Sequence, residues 1–220
     1  MLKQRIICKL LIESVNGAHV AVKYKRFTES RRIVGDPVAL MKTLEDQVLD
    51  EFYVCFLGPV DFALLERMTD SAFCPVTAAG SIHDMDTVGR LIRDCGVDKV
   101  VVKDDRLGWK VAEKYGAQAA VFPVDYTGRL ARGLAPDWAG ELLLTSIDRD
   151  GMGTGYDLDA LRGTYRIPVV LAGGCGKLVH VKDALAAGAD GVAVSSMFAF
   201  SDKSPVKLRS WLKSEGANVR

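Results

Sequence analysis

The sequence predicts an α/β fold: one closed (β/α)8 TIM barrel over residues 1–220, built by duplication of a half barrel. Three observations carry that reading. Eight short β-rich runs alternate with amphipathic stretches, and eight such units in a chain of this size close a barrel more readily than they leave an open sheet. CPVTAAGSIHDMDTVGRLIRDCGVDKVVV (74–102) and IPVVLAGGCGKLVHVKDALAAGADGVAVS (167–195) share one order of strand, small-residue loop, amphipathic helix, small residue plus Asp, strand. Self-similarity at about half the chain implies two equivalent halves. Finally, ELLLTSIDRDGMGTGYD (141–157) turns abruptly from an apolar run into a loop of carboxylates and glycines.

In chain order, strands are expected at 5–11, 52–57, 74–79, 99–103, 118–125, 141–148, 167–173 and 191–196. Helices are expected at 37–49, 61–68, 84–95, 106–115, 158–165, 178–187 and 205–214. Leu142, Leu143 and Leu144 are continuous, as in a strand buried on both faces. Between Asp125 and Glu141 stands only YTGRLARGLAPDWAG, where Pro136 limits any helix, so the fifth helix is short or missing.

Net charge +1 gives no basic surface for nucleic acid. Cys8, Cys55, Cys74, Cys95 and Cys175 form no CxxC pair and fall mostly in apolar runs, which reads as reduced core thiols of a cytoplasmic protein. The amino terminus has too short an apolar core for a spanning helix and no cleavage signature, so no membrane is expected. His19, His83 and His180 lack the spacing of zinc ligands, and no metal or cofactor is called for. Trp109, Trp138 and Trp211 read as packing residues.

Function is sought at the carboxyl ends of the strands, where barrels keep their chemistry. Asp148 and Asp150 followed by Gly151, Gly153 and Gly155 place ionisable groups and open backbone there; the alternative is an Asp/Gly-rich helix cap. Gly173, Gly174 and Gly176 with Ser195 and Ser196 make the usual barrel phosphate site, the alternative being close packing at the glycines. In the first half the matching loops carry Ser81 and then Lys103, Asp104 and Asp105. Carboxylates degrade that cradle unless Lys103 compensates them.

LLLTSIDRDG, GYD, AGGCGK, AGADGVAVSSMFAF, SIHD and LKSEGANVR together resemble the cyclase subunit of imidazole glycerol phosphate synthase. The resemblance implies a (β/α)8 barrel that takes ammonia from a glutaminase partner docked on its amino-terminal face. It implies cleavage and cyclisation of a phosphorylated ribulosyl aminoimidazole carboxamide ribonucleotide in histidine biosynthesis. It assigns acid–base roles to Asp125 and Asp150, phosphate contacts to Gly151, Gly174, Ser195 and Ser196, and a loop lysine to Lys23. It also implies an ammonia gate formed by Arg5, Glu51, Lys99 and Glu141. Several positions depart: the acid expected at the end of strand one falls on Leu11, which transfers no proton, the glycine triplet after strand three is AGS, the Asn-Thr after strand four is Lys103-Asp104, and the loop after strand five is cut short. A paralogue serving another amidation, such as amidino-sugar formation, an inert docking barrel, and a different sugar-phosphate isomerase barrel remain open alternatives.

Overall fold

A computed structural model describes residues 3–130, 135–163 and 165–219. Its strands, in chain order, are β1 (Arg5–Val15), β2 (Ala18–Lys25), β3 (Glu29–Gly35), β4 (Glu51–Phe56), β5 (Val76–Ala79), β6 (Lys99–Val101), β7 (Ala120–Tyr126), β8 (Glu141–Ser146), β9 (Val169–Ala172) and β10 (Gly191–Val194). β1 and β4 to β10 pair in sequence order, all parallel, and β10 returns to β1 with Arg5 opposite Gly191 and Cys8 opposite Val194. The eight-stranded barrel is therefore closed.

Period-two alternation decides which residues face where. Along β1, Ile6, Cys8, Leu10 and Ile12 join the large core between barrel and helices, while Ile7 joins the smaller core inside the barrel. The inner core is filled by Ile7, Tyr53, Val101, Val121, Leu143 and Val170, together with small alanines.

The outer layer is α1 (Pro37–Glu45), α2 (Phe62–Thr69), α3 (Met85–Arg93), α4 (Asp105–Tyr115), α5 (Leu178–Ala186), α6 (Ser196–Phe200) and α7 (Pro205–Ser214). Asp36, Asp61, Asp84 and Asp104 each accept the amide three residues on, at 2.7 to 3.0 Å, which satisfies an orphan donor and fixes where the helix starts. The helix expected at 158–165 is instead a 3-10 turn, Leu158–Arg162, whose preceding Asp157 makes no cap. That carboxylate accepts the Tyr126 hydroxyl at 3.0 Å, so it is drawn away from the helix start.

Among the described residues of 127–140 there is no helix. The bare flank of β7 is covered by Trp138, which is 1% exposed, meets the Phe122 ring edge-on at 5.6 Å, and donates its indole N–H to Asp105 at 3.0 Å. Gly108 of α4 makes room, since a Cβ there would lie 2.3 Å from the indole. Trp109, expected to pack, is 56% exposed.

The duplication is visible in matching hydrogen bonds. Asp98 accepts the amide of Val76 at 2.8 Å, and Asp190 accepts that of Val169 at 2.9 Å. Asp50 does the same for Ile6 at 2.8 Å, so the Asp before a strand ties it to its neighbour in both halves.

After β1 the chain departs from a plain barrel. β1 runs past the barrel rim and pairs antiparallel with β2, from Leu11 opposite Val22 to Val15 opposite Ala18, and β2 pairs with β3. The turn is Asn16–Gly17, with φ 51° and 79°, the positive values a type I′ hairpin needs. No helix among the described residues is long and apolar enough to cross a membrane.

At the opposite, amino-terminal end, Arg5, Glu51, Lys99 and Glu141 close a ring. Arg5 meets Glu51 at 2.7 Å and Glu141 at 2.6 Å, and Lys99 meets Glu51 at 2.7 Å and Glu141 at 3.2 Å. Thr77 donates to Glu51 at 2.6 Å. Glu51, with a side chain only 3% exposed, is held between two cations. Its replacement leaves Arg5 and Lys99 sharing one acid, and breaking a buried pair from one side is costly. We expect Glu51→Gln to lower unfolding free energy in urea by about 3 kcal/mol, against less than about 0.5 kcal/mol for Glu29→Gln in the exposed Arg26–Glu29 pair. Equal losses would contradict the assignment.

Candidate active site

Above the inner core the strand ends open into a pocket of about 430 Å³. Lys9, Leu11, Phe27, Tyr53 and Cys55 form part of its wall, and the expected Ser81, Lys103 and Asp125 all line it. Lys103 lies on the Asp125 carboxylate at 2.9 Å, so a cation expected on phosphate and an acid expected to move protons neutralise each other. Leu11 faces this pocket too, and its isobutyl group stands where the resemblance calls for a carboxylate.

The other expected residues gather beside the pocket. Lys23, in β2 rather than in a loop, is buried and donates to the carbonyl of Lys9 at 2.7 Å and to the Ser195 hydroxyl. Ser195 in turn donates to the same carbonyl at 2.8 Å. Burial lowers the Lys23 ammonium to about 8, with Lys9 pushing the same way and Cys8 and Asp150 opposing. Asp150 is buried, but it does not line the mouth pocket that holds Asp125. The hairpin covers its loop: Arg26 N–H donates to the Asp150 carbonyl at 2.9 Å, and a Cβ on Gly151 would meet the Tyr24 carbonyl at 2.3 Å. Asp148 stands apart, accepting the amide of Gly128 at 2.6 Å and lining a groove on the barrel flank.

The two glycine loops lean on one another. Gly155 N–H donates to the Gly174 carbonyl at 2.8 Å, and a Cβ on Gly174 would stand 2.1 Å from the Gly155 carbonyl. Close packing is therefore one reason for these glycines, alongside any role in holding an anion. Beside them lie basic groups that sequence spacing did not reveal. His180 Nδ1 accepts the amide of Gly176 at 3.2 Å, and Lys203 reaches the Gly176 carbonyl at 3.4 Å. Burial first, then Lys177, hold the His180 imidazole below its usual range.

Sequence reading also passed over Lys9, Phe27 and Tyr53. Alternation from Arg5 through Ile7 already aims Lys9 inward, and Asn16–Gly17 is a strong hairpin signal that brings Phe27 over the mouth. Nothing in the local pattern marks Tyr53 as a residue in the barrel axis. Below it, Ile7, Glu51, Tyr53, Thr77, Val121, Glu141, Leu143, Val170 and Ala193 enclose a cavity of about 10 Å³ directly above the ion-pair ring.

Residues 6–204 match the model of the histidine biosynthesis protein family. The chain belongs to that family. A Prochlorococcus marinus (strain MIT 9313) protein named as imidazole glycerol phosphate synthase subunit hisF2 is 34% identical, covering 100% of this chain and 99% of that protein. Imidazole glycerol phosphate synthase subunit HisF of Thermotoga sp. (strain RQ2) is also 34% identical, over 100% and 98%. The same subunit of Pyrobaculum aerophilum is 34% identical, over 98% of each chain. The Prochlorococcus comparison runs over 259 positions against 220 residues here, so that relative has segments this HisF-like chain lacks. The family resemblance read from the motifs is thus correct, and the barrel is the fold it implied.

The glycine contacts give a graded expectation. Gly174→Ala forces backbone apart and should cost more than about 2 kcal/mol, whereas Gly153→Ala, with 3.7 Å to its nearest neighbour, pays mainly for its positive φ, about 1 kcal/mol. Denaturant unfolding of the two variants checks the order; a reversed order would show that the two loops do not lean on each other.

Proposed function

We propose that this chain is an ammonia-using synthase subunit of the HisF kind. A glutaminase subunit docks on its amino-terminal face, and its substrate is a phosphorylated aminoimidazole carboxamide ribonucleotide on which it acts as lyase and cyclase. The observation that supports this most is the ring of Arg5, Glu51, Lys99 and Glu141, all four at strand starts around one opening. Ammonia is close to water in size, and the cavity of about 10 Å³ above the ring is near the minimum that holds one water. Tyr53 lines both that cavity and the mouth pocket, so ammonia rising through the axis has to displace its ring.

On this reading Gly151, Gly174, Ser195, Ser196 and Lys23 hold one phosphate. Ser81 and Lys103 hold the other once Lys103 leaves Asp125. Asp125 and Asp150 exchange protons with the substrate. A second reading is favoured by one observation, Leu11 at the pocket wall. Loss of a positioned acid or base costs about 10² to 10⁴ in rate, and a paralogue that passes ammonia to another amidation, such as amidino-sugar formation, would tolerate that loss.

The test is turnover of the ribonucleotide with ammonium in place of glutaminase, comparing the native chain with Leu11→Asp. Measurable native turnover, raised about a hundredfold or more by the carboxylate, supports the cyclase reading. Activity confined to Leu11→Asp supports diversion to another acceptor, and silence in both leaves docking as the function.

The phosphate site makes a separate prediction. A phosphate beside Ser195 favours the protonated Lys23, whose ammonium titrates at about 8 without it. Affinity for inorganic phosphate should therefore fall by up to about tenfold per pH unit as pH rises above 8, and Lys23→Met should flatten that slope. Calorimetric titration at pH 7 and 9 decides; a pH-independent affinity in the native chain would contradict the site.

A further inference from the structure

Among the described residues, Lys9 is the one buried cation at the mouth whose side chain neither the phosphate loop nor the ring uses. Its residue is 7% exposed, and its side chain lines the mouth pocket. Among the described residues no carboxylate lies within ion-pair reach of its Nζ, and its ammonium makes no hydrogen bond. What faces it are two aromatic rings, Phe27 at 5.5 Å and Tyr53 at 5.9 Å from their centroids. Ring faces attract a cation, yet they offer its N–H donors no acceptor.

The other charges of the pocket are already spoken for. Asp125 is paired with Lys103 at 2.9 Å, and Asp104 accepts the amide of Leu107 at 2.8 Å as the cap of α4. An unpaired cation that lines the pocket beside apolar walls, Leu11, Val101 and Pro123 among them, has the chemistry to receive an anion with an apolar body. The same strand shows the complementary change: the inward position two residues on is Leu11, so β1 presents a positive charge to the pocket and no negative one.

We propose that Lys9 anchors a ligand subsite of its own, in which the mouth pocket takes an organic anion whose carboxylate or phosphate head rests on Nζ between Phe27 and Tyr53. Phe27 sits at the tip of the hairpin with φ 69°, a backbone conformation unusual for a bulky residue. The tip is tied to the Asp150 loop through Arg26, so the ring that covers Lys9 is held by contacts outside the pocket. The Lys9 side chain is a member of neither the phosphate loop nor the ring, although the subsite shares Tyr53 with the proposed ammonia path and its pocket with Ser81 and Lys103.

The test uses three probes of one shape, benzoate, phenyl phosphate and neutral benzamide, titrated calorimetrically into the full chain. At least one anion should bind tenfold or more tighter than benzamide, and the tighter anion names the head group. Lys9→Met, or Lys9→Gln if the first variant does not fold, should remove that preference. Affinity for inorganic phosphate, lost in Lys23→Met and kept in the Lys9 variant, reports on the Gly174 and Ser195 loop, so failure of that loop is told apart from failure of the subsite. Benzamide binding as well as the anions, no binding of either anion at millimolar concentration, or an anion preference that survives in the Lys9 variant would each overturn the proposal.

Discussion

The ring of Arg5, Glu51, Lys99 and Glu141 is the constraint on which the rest of the barrel depends. Each cation lies between two acids, so the four charges cancel without a partner from outside, and the carboxylates are tied to strands that are not all neighbours. Arg5 alone joins β1 to β4 and, across the barrel, to β8. With the strand starts fixed at one level, parallel register carries the alternation upward, and the side chains of the mouth take their places as a consequence. The ring is mostly buried yet not sealed, with Arg5 and Lys99 side chains 14% and 13% exposed, so it closes the base and still meets solvent there.

The mouth is built on different terms. Its two halves descend from one repeat, but they no longer match. On one side two glycine loops, Lys23 and Ser195 are locked together by short contacts, with His180 and Lys203 near them. On the other, Lys103 spends its charge on Asp125. Over both comes the β2–β3 hairpin, latched through Arg26 to the loop that carries Asp150. The two aspartates proposed as acid and base are thus separated: Asp125 opens to the pocket, Asp150 is buried under the hairpin, and Leu11 and Lys9 occupy the pocket side of strand one. A barrel can keep its architecture while the polarity of its centre changes, because the residues that set closure and those that meet ligand lie at opposite ends of the strands.

Much of this was legible in the sequence, and the limits have physical causes. Barrel strands and most helices follow from alternation and periodicity, and the lack of a helix among the described residues of 127–140 follows from Pro136 and a short connection. The ring could be named because four strand starts carry charges of the right sign and the family resemblance joined them. The hairpin went unread although Asn16–Gly17 announced it, because an unbroken βα reading left 12–36 unassigned. The 158–165 helix failed for a reason no propensity contains, the capture of Asp157 by Tyr126. Trp138 and Trp109 look alike in sequence, and only the tertiary gap over Phe122 buries one and leaves the other in solvent. Lys9 was passed over because a lysine in a strand reads as a surface residue until the barrel closes around it.

The central proposal is that the base of this barrel serves a glutaminase while Leu11 changes the acid–base arrangement of its mouth. The most direct test is complex formation with the glutaminase subunit of the same organism, followed by calorimetry for the native chain and for Lys99→Glu. The account predicts a stable one-to-one complex that speeds glutamine hydrolysis by the partner and is weakened by at least tenfold when Lys99 is reversed. No complex with the native chain, or one indifferent to Lys99→Glu, would contradict it and leave the ring as a structural closure alone.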